Sequence, residues 1–210
     1  TGLNAPFSLT QCFRVMPEAW GPEAQHRMLA ELHAVIEAAP LYVPTMPRTG
    51  PPMSVRMTNA GPLGWVTDRA GGYRYQPLHP KTGLPWPPIP PSVLELWEAF
   101  AAYPHPPEAC LVNVYDGKAR MGLHRDMDED ELAAPVVSIS LGDTAVFRIG
   151  GPARGDASRS LKLASGAVVV LGGAARSCFH GVDRVIAGSS RQVPGGGRIN
   201  VTLRRVTSPD

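Results

Sequence analysis

The chain has 210 residues, enough for one domain with a buried core, and its hydrophobic fraction of 43% and charged fraction of 18% are typical of a globular protein. The formal net charge of +2 neither favours nor excludes nucleic acid as a partner. No apolar run is as long as a membrane-spanning helix, and the N-terminus does not show the basic-then-apolar order of a signal peptide. We therefore expect no membrane partner. Three widely spaced cysteines, an odd number, favour reduced thiols and a cytoplasmic location: Cys12, Cys110 and Cys178.

The first half of the chain predicts two helices separated by a loop-rich segment. Apolar residues recur at helical spacing in residues 22–39 and again in residues 91–102, and a proline in the first turn opens each run. Residues 41–90 are rich in proline and glycine, which permits short strands and turns but no long helix. We expect residues 1–108 to form an N-terminal extension.

From residue 109 onward the sequence changes to short runs rich in β-branched residues, separated by glycine, aspartate or proline. These runs predict strands at residues 110–115, 135–141, 144–149, 160–163, 167–171, 177–180 and 198–206. The tetrapeptide Leu141-Gly142-Asp143-Thr144 is typical of a tight hairpin. Strands at this spacing predict a sandwich or jelly roll, with its core in residues 109–210.

Two histidines and one aspartate form the most informative group of residues. In extended backbone, residues two apart share a face, so His124 and Asp126 can bind one ion together. His180 ends a later run that can fold alongside them. Two imidazoles and a carboxylate suit a non-haem Fe(II) centre with open positions. Three protein ligands also describe hydrolytic zinc sites, and a His-x-Asp pair recurs by chance. The residues alone leave iron, zinc and coincidence open.

A row of anion-binding side chains follows near residue 200. Polar and apolar residues alternate there, so a strand places on one face Arg198, Asn200, Thr202 and Arg204. Burying two guanidiniums together is costly unless an anion compensates their charge. A dicarboxylate ligand that chelates the metal at one end could place its other carboxylate beside an arginine. An exposed strand with a polar outer face is the alternative. Two further donors to a carboxylate share a face of an earlier predicted strand, Asn113 and Tyr115.

These residues carry a resemblance to a known family. The pattern His124-x-Asp126…His180 with Arg198-x-Asn200-x-Thr202-x-Arg204 resembles the AlkB family of Fe(II)/2-oxoglutarate dioxygenases, and its bacterial members in particular. Similar stretches occur in family order across most of the chain: Met53-Ser54-Val55, Met57-Thr58-Asn59, Leu63-Gly64-Trp65, Pro85-Trp86-Pro87, Ala109-Cys110-Leu111, Leu123-His124-Arg125-Asp126 and Val137-Ser138-Ile139-Ser140-Leu141-Gly142. The resemblance implies a mainly β protein with some α structure, forming a single catalytic domain over residues 1–210. Its double-stranded β-helix (jelly-roll) dioxygenase core would be residues 109–210, and residues 1–108 would carry an N-terminal helical and loop-rich nucleotide-recognition lid.

The resemblance also implies a reaction. Family members use Fe(II), 2-oxoglutarate and O2 to oxidise N-alkyl groups on bases such as 1-methyladenine and 3-methylcytosine, and they release succinate and formaldehyde. The expected partner is alkylated DNA, single-stranded or with the damaged base flipped out of the duplex, and the enzyme is expected to be a monomer. One alternative keeps the cofactors but acts on RNA, tRNA or protein. Another is a lesion-binding module with weak turnover.

Carried over by position, the resemblance assigns the site residues. The iron ligands are His124, Asp126 and His180. The 2-oxoglutarate contacts are Asn113, Tyr115, Arg198, Asn200 and Arg204. The substrate contacts are Met57, Trp65, Tyr73, Asp128 and Arg154, with the flipped base between Trp65 and His180. Methylated adenine and cytosine are cationic, so Asp128 would favour them by Coulomb attraction. Phosphate contacts are expected from arginines around the cleft, with Arg148, Arg154 and Arg176 as candidates.

The chain departs from the family pattern at three places. Residues 47–52 contain a single glycine, and a proline stands where the family has an aromatic residue. This change predicts a stiffer lid with one phosphate or sugar contact fewer. Leu171 stands where tryptophan is common, and Arg56 replaces a small residue. All three changes leave the metal chemistry intact and bear on the choice of substrate.

Overall fold

The computed structural model describes residues 13–210, so Cys12 lies outside the described residues. Two α-helices are present in this range, α1 (Pro22–Ala38) and α2 (Pro91–Phe100), with a 3-10 helix at Gly173–Ser177. The strands in the same range are β1 (Phe13–Met16), β2 (Arg56–Ala60), β3 (Gly64–Asp68), β4 (Gly72–Gln76), β5 (Ala109–Tyr115), β6 (Met121–His124), β7 (Val136–Gly142), β8 (Thr144–Ile149), β9 (Arg159–Leu163), β10 (Val168–Leu171), β11 (His180–Ile186) and β12 (Arg198–Arg204).

Two facing antiparallel sheets form the core. The six-stranded sheet has the order β1-β10-β7-β12-β5-β2, and the four-stranded sheet has the order β6-β11-β8-β9. Along β10, Val169 and Leu171 pack with Phe147 of the four-stranded sheet, whereas Val168 and Val170 pack with the helices. Burial on both faces explains why β10 is apolar throughout rather than alternating. The jelly roll predicted from the sequence is confirmed.

Both predicted helices are confirmed, within two residues of the predicted ends. Each begins with a proline in its first turn, where the missing N–H has no helical partner to lose. Along α1, Met28, Leu32 and Val35 are buried at the spacing that places them on one face. Pro40 follows soon after and disfavours further helix. The helices thus cover the face of the six-stranded sheet that lies away from the four-stranded sheet. None of the helices described in residues 13–210 is both long and apolar enough to cross a membrane.

The strand predicted at residues 177–180 is wrong. The 3-10 helix extends to Ser177, and β11 begins at His180 and continues to Ile186. The small residues before Ser177 lack the branched side chains that favour strands. By contrast, β11 contains Asp183 and Arg184 and is held by its pairing with β8. Tertiary pairing therefore decides where this strand begins and ends.

The hairpin predicted at residues 141–144 is also wrong, because β7 and β8 lie in different sheets. The chain crosses between the sheets at Gly142, whose φ of +86° is accessible to glycine. A Cβ at this position would lie 2.3 Å from the Gly197 carbonyl oxygen. The buried carboxylate of the next residue, Asp143, accepts hydrogen bonds from the backbone N–H groups of Gly188, Ser190 and Gly197. These bonds fix the crossing.

The segment before residue 109 contributes to the core as well as to the loop-rich region. Strands β1 and β2 form the two edges of the six-stranded sheet, so the predicted division at residue 108 does not coincide with the edge of the core. Strands β3 and β4 form a separate hairpin in which Trp65 pairs with Tyr75. At Gly64 an added Cβ would come 2.3 Å from the Trp86 ring, so glycine allows this hairpin to approach the ring closely.

Candidate active site

A cavity of about 960 Å³ is enclosed by both sheets, the β3–β4 hairpin and the acidic loop that follows β6. It brings together every residue that the sequence assigned to the metal, the co-substrate or the substrate. Those residues are Met57, Trp65, Tyr73, Asn113, Tyr115, His124, Asp126, Asp128, Arg154, His180, Arg198, Asn200 and Arg204. A volume of this size is at the upper end for small-molecule sites. It has room for a small dicarboxylate and part of a second ligand.

The three predicted metal ligands converge at one end of the four-stranded sheet. His124 ends β6 and His180 begins β11, where the two residues are register partners with ring centroids 4.6 Å apart. The Asp126 carboxylate lies 3.9 Å from His124 Nε2 and 3.5 Å from His180 Nε2. One ligand atom from each residue lies within 4.8 Å of the others. This spacing suits a single bound ion.

Backbone carbonyls fix the tautomer of both histidines. His124 Nδ1 donates to Gly122 O at 2.8 Å, and His180 Nδ1 donates to Cys178 O at 3.1 Å. Because a carbonyl oxygen can only accept, Nδ1 carries the proton and the Nε2 lone pair is left for a metal. Desolvation inside the cavity, followed by the neighbouring His180, lowers the pKa of His124. The imidazole is therefore neutral at neutral pH, as metal ligation requires.

A buried guanidinium keeps Asp126 ionised. Burial by itself would raise the pKa of Asp126, but Arg204 and His180 hold it well below its usual range. Arg204 Nη2 lies 3.1 Å from Asp126 Oδ1, and Arg204 Nε lies 3.4 Å from a carboxylate oxygen of Glu129. Arg204 is therefore already paired with two carboxylates. It orients a metal ligand from behind.

Glu129, for which no role was predicted, lies at the centre of a buried network of charges. Its carboxylate accepts hydrogen bonds from the Tyr75 hydroxyl of β4 and from Arg176 Nη2, the latter at 3.1 Å. Together with Arg204, these contacts connect the β3–β4 hairpin, the 3-10 helix and β12. No local sequence signal marks Glu129, because its partners come from three distant elements. Its neighbour Asp130 is exposed.

Two of the arginines predicted to contact phosphate are placed elsewhere. Arg176 is only 4% exposed and pairs with Glu129, so it cannot reach a nucleic-acid backbone. Arg148 forms a two-pronged ion pair with Asp183 and does not line the cavity. The predictions for Arg148 and Arg176 are therefore corrected, and Arg154 is the one of the three that lines the cavity.

Replacing Glu129 by glutamine should destabilise the protein by about 3 kcal/mol, because the buried Arg176 would lose its carboxylate partner and Arg204 would lose one of two. For a chain of this size the melting temperature should fall by about 6–12 °C, measured by thermal unfolding. Glu98→Gln is the matched control, since Glu98 is exposed on α2 and forms no ion pair among the described residues. Equal melting temperatures for the two variants would contradict a structural role for the network.

Arg198 is a buried cation with no carboxylate partner among the described residues. Its side chain is 1% exposed, and its Nε and Nη1 atoms form no hydrogen bonds with any group in residues 13–210. The guanidinium carbon lies 5.7 Å from the centre of the Tyr115 ring. Burial lowers the pKa of Arg198 to about 10. An unpaired guanidinium at the cavity wall fits a ligand that brings a carboxylate.

The neighbouring polar groups are partly arranged by the protein itself. Asn200 Nδ2 donates to Ser138 Oγ at 2.7 Å, and Thr202 Oγ1 donates to Asn200 Oδ1 at 3.0 Å. Asn113 Oδ1 is buried and has no hydrogen-bond partner. Arg198 and Asn113 therefore each have a buried polar atom at the cavity with which no group in residues 13–210 forms a hydrogen bond. Both fit a small polar ligand bound deep in the cavity.

Trp65 and Tyr73 form an aromatic wall nearer the mouth of the cavity. Asn59 holds the Trp65 backbone with two hydrogen bonds of 3.0 Å each, one to its carbonyl and one from its N–H. The Trp65 ring stacks on Tyr73 with centroids 5.5 Å apart, and its Nε1 donates to Asp128 Oδ2 at 3.0 Å. Met57 is fully buried and packs in the same cluster as Trp65. The aromatic wall therefore carries an acidic group at its edge.

Two guanidiniums flank Phe179 at the cavity. Arg154 and Arg125 place their guanidinium carbons 4.8 Å and 5.3 Å from the ring centroid. Arg154 Nη1 also donates to Leu123 O at 2.8 Å. Neither arginine forms an ion pair with any carboxylate in residues 13–210. The cavity thus has a positively charged side that no acidic group of the described chain neutralises.

Comparison with known proteins identifies the family. The sequence profile of the 2OG-Fe(II) oxygenase superfamily matches residues 12–204. The alpha-ketoglutarate-dependent dioxygenase AlkB homolog of Caulobacter vibrioides is 53% identical over 200 residues, covering 95% of this chain and 90% of the relative. This chain belongs to the AlkB family of 2OG-Fe(II) oxygenases. The alpha-ketoglutarate-dependent dioxygenase AlkB of Escherichia coli is 42% identical over 169 residues, covering 79% of this chain and 77% of that protein.

The fold agrees with that of another AlkB-family protein. The solved structure of OsALKBH1 matches with a TM-score of 0.77 at 27% identity, covering 92% of this chain and 98% of that one. As an AlkB-family member, the protein is an Fe(II)/2-oxoglutarate-dependent dioxygenase that uses O2. Of the three interpretations that the sequence left open for the triad, iron is confirmed. The neutral His124 imidazole, the ionised Asp126 and the unpaired Arg198 all fit Fe(II) and 2-oxoglutarate.

Proposed function

We propose that this enzyme removes alkyl groups from nucleobases in DNA, such as 1-methyladenine and 3-methylcytosine, by oxidative dealkylation. The observation that carries the proposal is the placement of the metal triad, the Trp65–Tyr73 wall and the Asp128 carboxylate in one cavity. A relative from Arabidopsis thaliana, 37% identical over 111 residues, is a DNA N(6)-methyladenine demethylase. One from Schizosaccharomyces pombe, 35% identical over 83 residues, is a tRNA demethylase. Both names support a methylated base as substrate.

The deep part of the cavity would hold the co-substrate. Arg198 would pair with the carboxylate of 2-oxoglutarate that lies away from the metal, with the Tyr115 hydroxyl and the Asn113 amide nitrogen as neighbouring donors. Asn200 and Arg204 complete this wall, with Arg204 acting through Asp126. When bound, Fe(II) and 2-oxoglutarate supply oxidation of a C–H bond by O2, and 2-oxoglutarate leaves as succinate and carbon dioxide. One oxygen atom enters succinate and the other enters the alkyl group.

The outer part of the cavity would hold the damaged base. A base inside a duplex cannot reach the triad, so it must be flipped out and stacked, and we place it between Trp65 and His180. Tyr73 and Met57 back Trp65. Once the alkyl carbon carries a hydroxyl group, the N–CH2OH product breaks its C–N bond. The nitrogen keeps the electron pair of that bond, the hydroxyl proton passes to solvent, and formaldehyde leaves the neutral base.

Arginines beside the cavity would contact the nucleic-acid backbone. Arg154 and Arg125 lie against Phe179 without a carboxylate partner among the described residues, which leaves both guanidiniums available to phosphate. Oligonucleotide binding should therefore weaken as salt increases.

We also propose that the enzyme is a monomer and acts in the cytoplasm. Burial raises the pKa of the Cys110 thiol to about 12, which keeps it unreactive.

Asp128→Asn should reduce the preference for cationic lesions. The change removes a charge but keeps an oxygen that can accept from Trp65 Nε1. We expect the ratio of kcat/KM for 1-methyladenine over the neutral lesion 3-methylthymine to fall roughly fivefold, corresponding to about 1 kcal/mol of attraction at an exposed site. Steady-state kinetics on the two oligonucleotides measures the ratio. A variant that loses activity equally on both lesions would contradict charge selection by Asp128.

A substrate panel tests the proposed function. The enzyme, with Fe(II), 2-oxoglutarate and O2, is given matched DNA and RNA oligonucleotides containing 1-methyladenine, an unmethylated DNA control and a methylated peptide. We expect formaldehyde and succinate in equal amounts from methylated DNA, with loss of the methyl mass from the oligonucleotide. Turnover on RNA or peptide alone would overturn the proposal in favour of that substrate. Consumption of 2-oxoglutarate without dealkylation of any substrate would favour a lesion-binding module.

A further inference from the structure

Residues 44–53, here called the 44–53 loop, form a compact unit with the β3–β4 hairpin. The loop closes on itself, since Met46 N–H donates to Pro51 O at 3.0 Å and Met53 N–H donates to Pro44 O at 2.9 Å. It is also tied to the hairpin, because the Thr67 hydroxyl of β3 donates to a carbonyl of the loop at 3.1 Å. The stiffness predicted from its prolines has a structural counterpart in these bonds. The end of the 44–53 loop and the turn of the β3–β4 hairpin can therefore form one continuous surface.

Two arginines meet where the tips of these segments touch. Arg48 N–H donates to Arg69 O at 3.3 Å, and Arg69 Nε donates to Arg48 O at 3.0 Å. The aliphatic part of Arg69 lies over Gly50, where an added Cβ would come 3.1 Å from its Cδ. Both arginines are exposed. The carboxylate of Asp68 is already engaged by Arg74 at 2.7 Å.

The pair is therefore an uncompensated positive charge. Neither Arg48 nor Arg69 forms an ion pair with a carboxylate anywhere in the described part of the chain. An anion bound beside both residues would be attracted by two guanidiniums that no carboxylate of the described chain neutralises. Arginine suits phosphate because its guanidinium can donate two parallel hydrogen bonds. The electrostatics favour a phosphate ligand here.

The backbone at Arg48 adds an independent observation. Its φ of +64° lies in the left-handed region, which a non-glycine residue rarely adopts. Glycine would adopt this conformation without strain, and it would keep both backbone hydrogen bonds of residue 48. The turn itself does not require an arginine at residue 48, so the backbone strain there comes with a side chain that has no role in the turn. Strained residues of this kind gather at ligand-binding positions.

We propose that Arg48 and Arg69 bind a backbone phosphate of the nucleic-acid strand that flanks the damaged base. The inference rests on the proposed function. Arg69 is four residues beyond Trp65, a distance of about 13 Å along extended backbone. This corresponds to the axial rise of roughly four nucleotides in one strand of DNA. The enzyme would thus grip the strand away from the cavity and prefer oligonucleotides over free nucleosides.

The salt dependence of binding tests the pair directly. Binding of a methylated single-stranded oligonucleotide is measured by fluorescence anisotropy over a range of salt concentrations, without turnover. Arg48→Gly should reduce the slope of log K against log salt by about 0.7, the contribution of one phosphate contact on a single strand. Arg48→Lys, which keeps the charge, should retain the slope. Arg159→Gln is the control for loss of any arginine, because Arg159 is exposed on β9 and lies outside the cavity lining.

A kinetic comparison separates strand binding from the chemistry. We expect the ratio of kcat/KM on the methylated oligonucleotide to that on 1-methyladenosine to fall on the order of threefold in Arg48→Gly and in Arg69→Gln. An unchanged salt slope in Arg48→Gly would overturn the proposal, even if methylated DNA is dealkylated. A reduced slope without dealkylation of any nucleic acid would uphold the phosphate contact while overturning the proposed function. Melting temperatures of the variants confirm that each is folded.

Discussion

Replacing Asp126 by alanine should abolish the release of succinate and formaldehyde. Asp126 supplies the carboxylate of the triad, and its oxygens face both His124 and His180. Removing a group that only supports a metal ligand typically lowers metal affinity or activity about 10- to 100-fold. Loss of the ligand itself should therefore lower kcat by at least about a hundredfold. Product release and anaerobic Fe(II) titration measure the two effects. We expect Fe(II) affinity and turnover to fall together.

The matched control for this variant is Asp130→Ala. Asp130 belongs to the same acidic loop but is exposed, so its removal should change neither Fe(II) affinity nor turnover. Asp126→Ala also leaves Arg204 with Glu129 alone, which should destabilise the folded state by up to about 3 kcal/mol. Activity is therefore compared well below the melting temperature of each variant. Succinate release that survives in folded Asp126→Ala would contradict the assignment of this ligand.

Replacing Arg198 by methionine should weaken 2-oxoglutarate binding without destabilising the protein. The guanidinium is buried and has no carboxylate partner in residues 13–210, so its removal relieves an uncompensated charge. When 2-oxoglutarate is bound, the same change removes one member of a buried ion pair, which costs about 2–5 kcal/mol. The KM for 2-oxoglutarate should rise at least about 30-fold, while the melting temperature of the ligand-free protein stays equal or rises.

Arg204→Met gives the contrasting control on the same strand. Arg204 is paired with Asp126 and Glu129, so its loss should leave the buried Asp126 without its arginine and Glu129 with Arg176 alone, and lower the melting temperature. Thermal unfolding and 2-oxoglutarate kinetics on both variants separate the roles of the two arginines. A ligand-free Arg198→Met protein that unfolds as readily as Arg204→Met would contradict the role of Arg198 as a ligand-binding cation.

The metal triad and the anion-binding row could be predicted because each depends on local spacing. His124 and Asp126 are two residues apart, and the polar residues of β12 alternate with apolar ones, so extended backbone alone aligns them. Family resemblance then supplied the roles of the remaining metal, co-substrate and substrate residues, which line the cavity, whereas two of the three arginines predicted to contact phosphate, Arg148 and Arg176, do not. The same reasoning identified both helices, where proline and apolar spacing agree.

The parts that the sequence missed depend on contacts between distant elements. Glu129 acquires its role from Tyr75 and Arg176, which lie 54 and 47 residues away along the chain. The hairpin predicted at Gly142 was wrong because a tight turn can join strands of the same sheet or of two different sheets. A single sequence does not distinguish these cases, since the local turn chemistry is the same.

The position of β12 in the six-stranded sheet has a consequence for synthesis of the protein. It lies between β5 and β7 and pairs with both, although it follows them by more than fifty residues. Until residues 198–204 have left the ribosome, β5 and β7 each expose an edge with unpaired N–H and C=O groups. A nascent or truncated chain that lacks β12 would therefore be prone to aggregation at these edges. The strand that carries Arg198 is thus also the one that closes the sheet, and neither the co-substrate pocket nor a protected core can form before it is in place.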